Sequence, residues 1–405
     1  MKLIQYPKGI VYLLLFSAYF VTNVLFPAEQ GNMVSSDDGN RIYPQLCLVS
    51  VVFYSALYIV RHLSVFTLKW YFSPFWQYLL MSMVYAACYV AFPGNEMATP
   101  FESVVHIVKV TASIFVLYGF YLVARYRPQD VKYLYAILLL QVIYSVIFLV
   151  MDYYSTLLKS VTSPSESAFD SNAGFMLASL IPMCFVLPKG RFRIYLYFFL
   201  VAITLFSGQR AAAVAAVVSL FFAVKFIKSD LKRFDIYLFS ILFLVAIGPL
   251  LMIAVENIML RNAIDTNSGG FGSGRSEFWQ IVLYSYFDSS IWGIVLGHGL
   301  FSVNDLLLRK YGIPIGAHNG YLDHLYIFGL IGFVLYLRCY LVFLRVGVYL
   351  KKLKSEYYIV ALMMLFMLVV RSGASHGNFD ISYIPFFATL SIILAKYPIK
   401  EVQNR

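Results

Sequence analysis

Apolar residues run along this chain in long blocks, nearly free of charge and separated by short polar turns. Blocks of about 18–22 residues match the thickness of a bilayer's hydrocarbon at the rise of an α-helix. Read this way, the pattern predicts about twelve membrane-spanning helices. They cover 10–27, 44–60, 74–92, 104–124, 133–151, 173–188, 194–208, 211–227, 236–255, 319–344, 357–370 and 378–395. The short blocks between 194 and 227 also fit one helical hairpin. A single long polar stretch, 256–318, interrupts the series. The expected fold class is all-α and polytopic. Nine spans lie in 1–255, a loop with short helices in 256–318, and three spans with a C-terminal tail in 319–405.

Composition agrees. The 405 residues are 61% hydrophobic and 13% charged, against about half and a quarter in soluble domains. The start, MKLIQYPKGI, is basic like a signal peptide, but its apolar run is long and leads into further spans, so it reads as a retained helix. Cys47, Cys88, Cys184 and Cys339 all fall in apolar blocks without a CxxC pair, and read as small packing residues.

Charge sets the orientation. The formal net charge of +11 gathers in alternate short loops, at Arg125 and Arg127, Lys189, Arg191 and Arg193, Lys228, Lys232 and Arg233, and Lys351, Lys352 and Lys354. Most acidic residues fall on the opposite side. By the positive-inside rule both termini are cytoplasmic and 256–318 lies outside, and no nucleic-acid partner is needed to explain the basic charge.

Three polar segments then share the outer side. In GGFGSGRSEFW, Gly269, Gly274, Arg275 and Ser276 fit the spacing of a phosphate-binding P-loop, with arginine in place of lysine. A nucleotide site needs a preceding buried strand, and LRNAIDTNS is not one. ATP is also absent from that side of a membrane. The chemistry still suits a phosphate, because glycines admit a close anion, SEFWQIVLYSYF reads as a helix starting there, and Arg275 adds a bidentate fork. A flexible linker with a solvated arginine is the alternative. In FSGQRAAAVAAVV, Ser207, Gly208, Gln209 and Arg210 break an apolar run. This is either a tight turn with a snorkelling arginine or a cation in an outward cavity, with the following alanines allowing close packing. In GAHNGYLDHLYIFGLIGF the chain returns to the membrane with His318 and Asn319 leading. His318, Asp323 and His324 are spaced by five and six residues and do not share a helix face, which argues against a metal. His318 reads as a general base or as a helix-capping histidine.

Together, FSGQR, SGRSEFW with LGHGLFSVND, and AHNGYLDHLYIFGLIG resemble the bacterial O-antigen polymerase and O-antigen ligase superfamily, over about 210–335. The resemblance implies a fold like the lipid-linked, GT-C-like glycosyltransferases. It implies transfer of a glycan from an undecaprenyl-pyrophosphate carrier to a hydroxyl at the periplasmic face of the inner membrane, with no cofactor, metal or nucleotide sugar. Arg210 and Arg275 would hold the departing pyrophosphate and His318 would serve as base. Gln209, Gly274, Ser276 and Asn319 flank them. Arg261, Arg309 with Lys310, Arg371 and His376 are further outer-side candidates for pyrophosphate or glycan. The implied partners are carrier-linked oligosaccharides, the bilayer, and the flippase and chain-length regulator of the same pathway.

Polymerase is preferred to ligase, because the N-terminal half matches nothing familiar, as expected where each polymerase meets different sugars. A capsule or exopolysaccharide polymerase is equally compatible. A flippase or transporter is the rival class, but no internal repeat is visible and the conspicuous charges gather at the outer face. A receptor or assembly subunit without chemistry is a further alternative. His106 and Lys109 lie three apart on one helix face and form another intramembrane polar pair. The 33 tyrosines and 36 phenylalanines fit interfacial belts, with sugar stacking open to a few of them.

Overall fold

The computed structural model describes residues 8–25, 42–92, 100–162, 171, 173–230, 275–312, 316–375 and 379–397. Regular structure among these residues is helical, with no strand. The helices are α1 (Lys8–Leu25), α2 (Ile42–Ile59), α3 (Leu63–Leu68), α4 (Ser73–Ala91), α5 (Pro100–Tyr126), α6 (Val131–Thr162), α7 (Ala173–Leu180) and α8 (Arg191–Phe206). After them come α9 (Arg210–Asp230), α10 (Arg275–Phe287), α11 (Ile291–Leu296), α12 (Ser302–Tyr311), α13 (Gly320–Lys352), α14 (Tyr357–Ala374) and α15 (Ile384–Lys396).

Six helical stretches, Lys8–Leu25, Tyr43–Phe66, Phe101–Tyr126, Pro128–Thr156, Gly320–Lys352 and Tyr357–Ala374, are long and apolar enough to cross a membrane. The chain is an all-α, multi-pass membrane protein. The expected spans at 74–92, 173–188, 194–208, 211–227 and 378–395 also form helices, several of them shorter than a full crossing. The span at 236–255 lies outside the described residues. The blocks at 194–208 and 211–227 form a helical hairpin, α8 and α9, turning at Ser207–Gln209 with Gly208 at φ +73°.

A helix that is apolar all round belongs in the middle of a bundle, and α5 is that helix. Every residue from Val110 to Val123 is buried, against α2, α4 and α15. Gly119 is the close approach: a Cβ there would meet the Tyr12 hydroxyl, which hydrogen-bonds Ser55 at 2.8 Å. One turn before Tyr12, the first backbone N–H groups of α1 are capped from a distance. Lys8 N and Gly9 N donate to Asp130 Oδ2 at 2.9 and 3.4 Å.

The long α13 is broken once, at Gly329 (φ +65°, ψ −169°). The break withdraws the N–H groups of Leu330 and Ile331 from the carbonyls four residues earlier. Those carbonyls are taken over by the segment after α11: His298 N donates to Tyr326 O at 2.9 Å and Gly299 N to Ile327 O at 3.0 Å. The Tyr85 hydroxyl of α4 bonds Leu296 O in the same junction. Such backbone contact requires two glycines. A Cβ on Gly297 (φ +81°) would sit 2.4 Å from Gly329 N, and one on Gly329 would sit 2.5 Å from Gly297 N.

Gly297→Ala and Gly329→Ala should therefore each destabilise the protein. Left-handed strain of about 1–2 kcal/mol adds to overpacking of typically about 1–3 kcal/mol. Thermal unfolding in detergent should show a lowered midpoint for both. Gly373→Ala, whose new Cβ has no atom nearer than 3.9 Å, should melt like the wild type.

Candidate functional site

The last turn of α14 is where the chemistry of the backbone draws other elements together: the final carbonyls of a helix have no partner within it. Here the carbonyls at the end are met from two sides, and that of Val369, a turn further back, from a third. Arg275, the first residue of α10, donates from Nη1 to Ala374 O at 3.4 Å. Gly320 N, at the start of α13, donates to Ser375 O at 2.9 Å. The Tyr321 hydroxyl donates to Val369 O at 3.2 Å. The first turn of α9 arrives by packing, since Ala211 and Ala374 both cover the small cluster of Phe175, Ala178 and Ala212. Thus the starts of α9, α10 and α13 meet around the end of α14. Each helix start carries about half a positive charge, and two of these helices open with arginine.

Arg371 stands one turn earlier on α14 and is 8% exposed. Its guanidinium lies 4.3 Å from the Tyr383 ring centroid, donates from Nη1 to Ser382 O at 3.2 Å and from Nη2 to Ser382 Oγ, and reaches Asp380 at 3.9 Å. Its Nε has no hydrogen-bond partner. Arg371 also lines a crevice with Phe175, Ala211, Ala212, Ala215 and Val370, large enough for about one water. The run of alanines after Arg210 is what lets α9 come this close.

The segment carrying His318 is pinned on both sides. Ala317 O accepts from Trp279 Nε1 at 2.8 Å, and Ala317 N donates to Asp323 Oδ1 at 3.1 Å. Asn319 caps α13, accepting on Oδ1 from Tyr321 N at 3.1 Å and Leu322 N at 3.3 Å. Between these anchors His318 adopts φ +52°, a left-handed conformation that a non-glycine residue adopts at a cost of about 1–3 kcal/mol.

Beneath lies a buried polar network. His324 is fully buried, with Nε2 2.7 Å from the Tyr78 hydroxyl, Nδ1 2.7 Å from Gly320 O and its ring stacked 3.7 Å from that of Tyr336. Tyr336 continues to Tyr340 at 2.6 Å and to Ser372 at 2.7 Å, and Ser372 to Tyr383 at 3.5 Å. The network joins α4, α13, α14 and the ring on which Arg371 stacks.

Of the residues singled out in the sequence, Arg275, Arg371, Asn319 and the segments of Arg210 and His318 are brought to this one place. Gln209 and Ser207 form the turn before α9, pressed on Gly174, where a Cβ would sit 2.2 Å from Ser207 Oγ. Ser276 is exposed on the first turn of α10. Arg309 instead pairs with Asp305 of its own helix at 2.8 Å and is largely exposed, and Lys310 is exposed beside it. His106 and Lys109 lie on α5, which packs on α15 and the 381–383 turn. His106 Nε2 is buried without a hydrogen-bond partner. Gly274, Arg261 and His376 lie outside the described residues. Two contributors were missed in the sequence, Ser382 and His324. His324 was weighed only as a metal ligand, and Ser382 carries no motif at all. No protein-family model matches this chain, and no curated protein matches its sequence.

Ser382→Ala removes the hydroxyl acceptor of a buried guanidinium and should cost about 1–3 kcal/mol of stability. Thermal unfolding in detergent measures it; an unchanged midpoint would mean that Ser382 does not hold Arg371.

Proposed function

We propose that this chain is a glycosyltransferase of the bacterial inner membrane. It would polymerise O-antigen or a related surface polysaccharide at the periplasmic face, from an undecaprenyl-pyrophosphate-linked donor. One observation carries the reading: the starts of α9, α10 and α13, with Arg275 and the buried Arg371, surround the end of α14. Helix starts and arginine forks together favour a phosphate-bearing ligand. The motif resemblance over 210–335 supports the same class.

The chemistry follows from that placement. An acceptor hydroxyl attacks the anomeric carbon of the donor sugar, and the bond from that carbon to the pyrophosphate oxygen breaks. The electron pair leaves with the pyrophosphate, and the hydroxyl proton passes to His318. Charge grows on the pyrophosphate as the bond lengthens, so cations fixed in advance lower the barrier, each by roughly 3–4 kcal/mol. A base adds roughly 10²–10⁴-fold. The pinned, left-handed backbone at His318 fits a group held in place for one task.

A second reading, transport of an anionic substrate, draws on the buried Arg371 and on His106, ionisable groups inside the bundle.

The test is deletion of the gene in its source bacterium, complemented with Arg275→Lys or His318→Asn, and a gel of the surface glycans. Asparagine tolerates the left-handed backbone, so His318→Asn removes the base and keeps the fold. A polymerase leaves single-repeat lipopolysaccharide, and both variants fail to restore the ladder. Bare core with accumulated carrier-linked polymer identifies the ligase instead. Full restoration by Arg275→Lys contradicts a bidentate phosphate clamp; unchanged surface glycans on deletion contradict the reading as a whole.

A further inference from the structure

We propose that α11 is a re-entrant element buried in the outer leaflet of the bilayer, its free face covered by lipid acyl chains. The polar stretch 256–318 would then contain a membrane-embedded part, independently of what the enzyme or transporter acts on.

Two rulers give the depth. Leu296, the last residue of α11, accepts from the Tyr85 hydroxyl, and Tyr85 lies six residues, about 9 Å, below the outer end of α4 at Ala91. Gly297 abuts Gly329, nine residues, about 13 Å, into α13 from Gly320. The inner boundary is marked by Lys69, by Trp70 and by the Arg345 guanidinium 6.0 Å from that indole, a basic and aromatic belt at the start of α4. From Ser73 to Tyr85 is twelve residues, about 18 Å of helix. In a hydrocarbon core of about 30 Å, roughly 10 Å of outer leaflet remains above Leu296.

The composition fits that depth. Residues 278–304 contain no lysine or arginine, and Asp288 is their one acid. One side of this segment is packed: Val282, Tyr286 and Leu300 are buried with Ala86 and Tyr89 of α4 and with Tyr326, Ile327 and Phe328 of α13. The other side is bare and apolar, with Ile291 67%, Trp292 70%, Phe287 70% and Tyr284 73% exposed. In water such a patch would be costly. It is continuous with the bundle's own lipid-facing surface, because Leu330, Ile331 and Val334, next to Gly329 on α13, are also exposed. The backbone criterion is met as well. Irregular backbone is tolerated at membrane depth only where protein satisfies it, and the amides of His298 and Gly299 bond to Tyr326 O and Ile327 O. A six-residue helix rises about 9 Å, enough to return the polar turn Asp288–Ser290 to the headgroups.

The test places a nitroxide on Trp292→Cys and, as a second position, on Ile291→Cys, in the full chain in lipid nanodiscs. Lys310→Cys on the exposed face of α12 is the reference, and wild type carried through the same labelling corrects for its own Cys88. Collisions with oxygen, which partitions into acyl chains, should exceed those with a water-soluble nickel complex at 291 and 292, with the order reversed at 310. Nickel-dominated collisions at 291 and 292 would place α11 in water and overturn the proposal. Shielding from both reagents at both positions would mean a protein partner, such as a second copy of the chain, and would overturn it equally.

Discussion

A backbone carbonyl left without a donor inside a bilayer costs several kcal/mol, and this fold is organised by where such carbonyls arise. They occur at the end of α14 and at the break in α13. Both sets are capped by residues between 275 and 320: Arg275 and Gly320 serve the first, His298 and Gly299 the second. The segment joining α9 to α13 is therefore not an appendage. Its described part closes one end of the bundle and fixes the geometry of the candidate site in doing so.

Positioning of the site follows from that closure. Arg275 cannot be moved without exposing the end of α14, and His318 sits between anchors supplied by Trp279 of α10 and Asp323 of α13. The alanines of α9 let its first turns pack close to Ala374 and Arg371. Arg371 is held from below by Ser382 and Tyr383, the ring of which joins the network of Ser372, Tyr336 and Tyr340. The arginines are thus placed largely by contacts to backbone, serine and aromatic partners, with Asp380 3.9 Å from Arg371.

Hydropathy made the helical class legible, because a bilayer imposes one length and one composition on whatever crosses it. The same signal was less able to give lengths: α7 and α15 are apolar but short, being packed among neighbours instead of spanning alone. The polar motifs were legible locally, Arg210 as a break in an apolar block, Arg275 by its P-loop-like glycine spacing and His318 where the chain re-enters an apolar span, while their meeting at α14 depends on tertiary contacts that no local pattern encodes. Arg371 was visible as a charge between spans, but Ser382 and Tyr383, which hold it, look like any loop residues. The Gly297–Gly329 contact was hidden for the same reason. Each glycine is ordinary in its own segment, and only their apposition makes them necessary.

The central claim is that cations at the end of α14 hold a carrier pyrophosphate while a sugar is transferred. Its most direct test is reconstitution of the purified chain in liposomes with an undecaprenyl-pyrophosphate-linked oligosaccharide, following carrier and glycan together. The account predicts one free undecaprenyl pyrophosphate for every glycosidic bond formed, with no nucleotide added. Folded protein that binds the donor yet releases no carrier, or that moves it across the membrane unchanged, would contradict it.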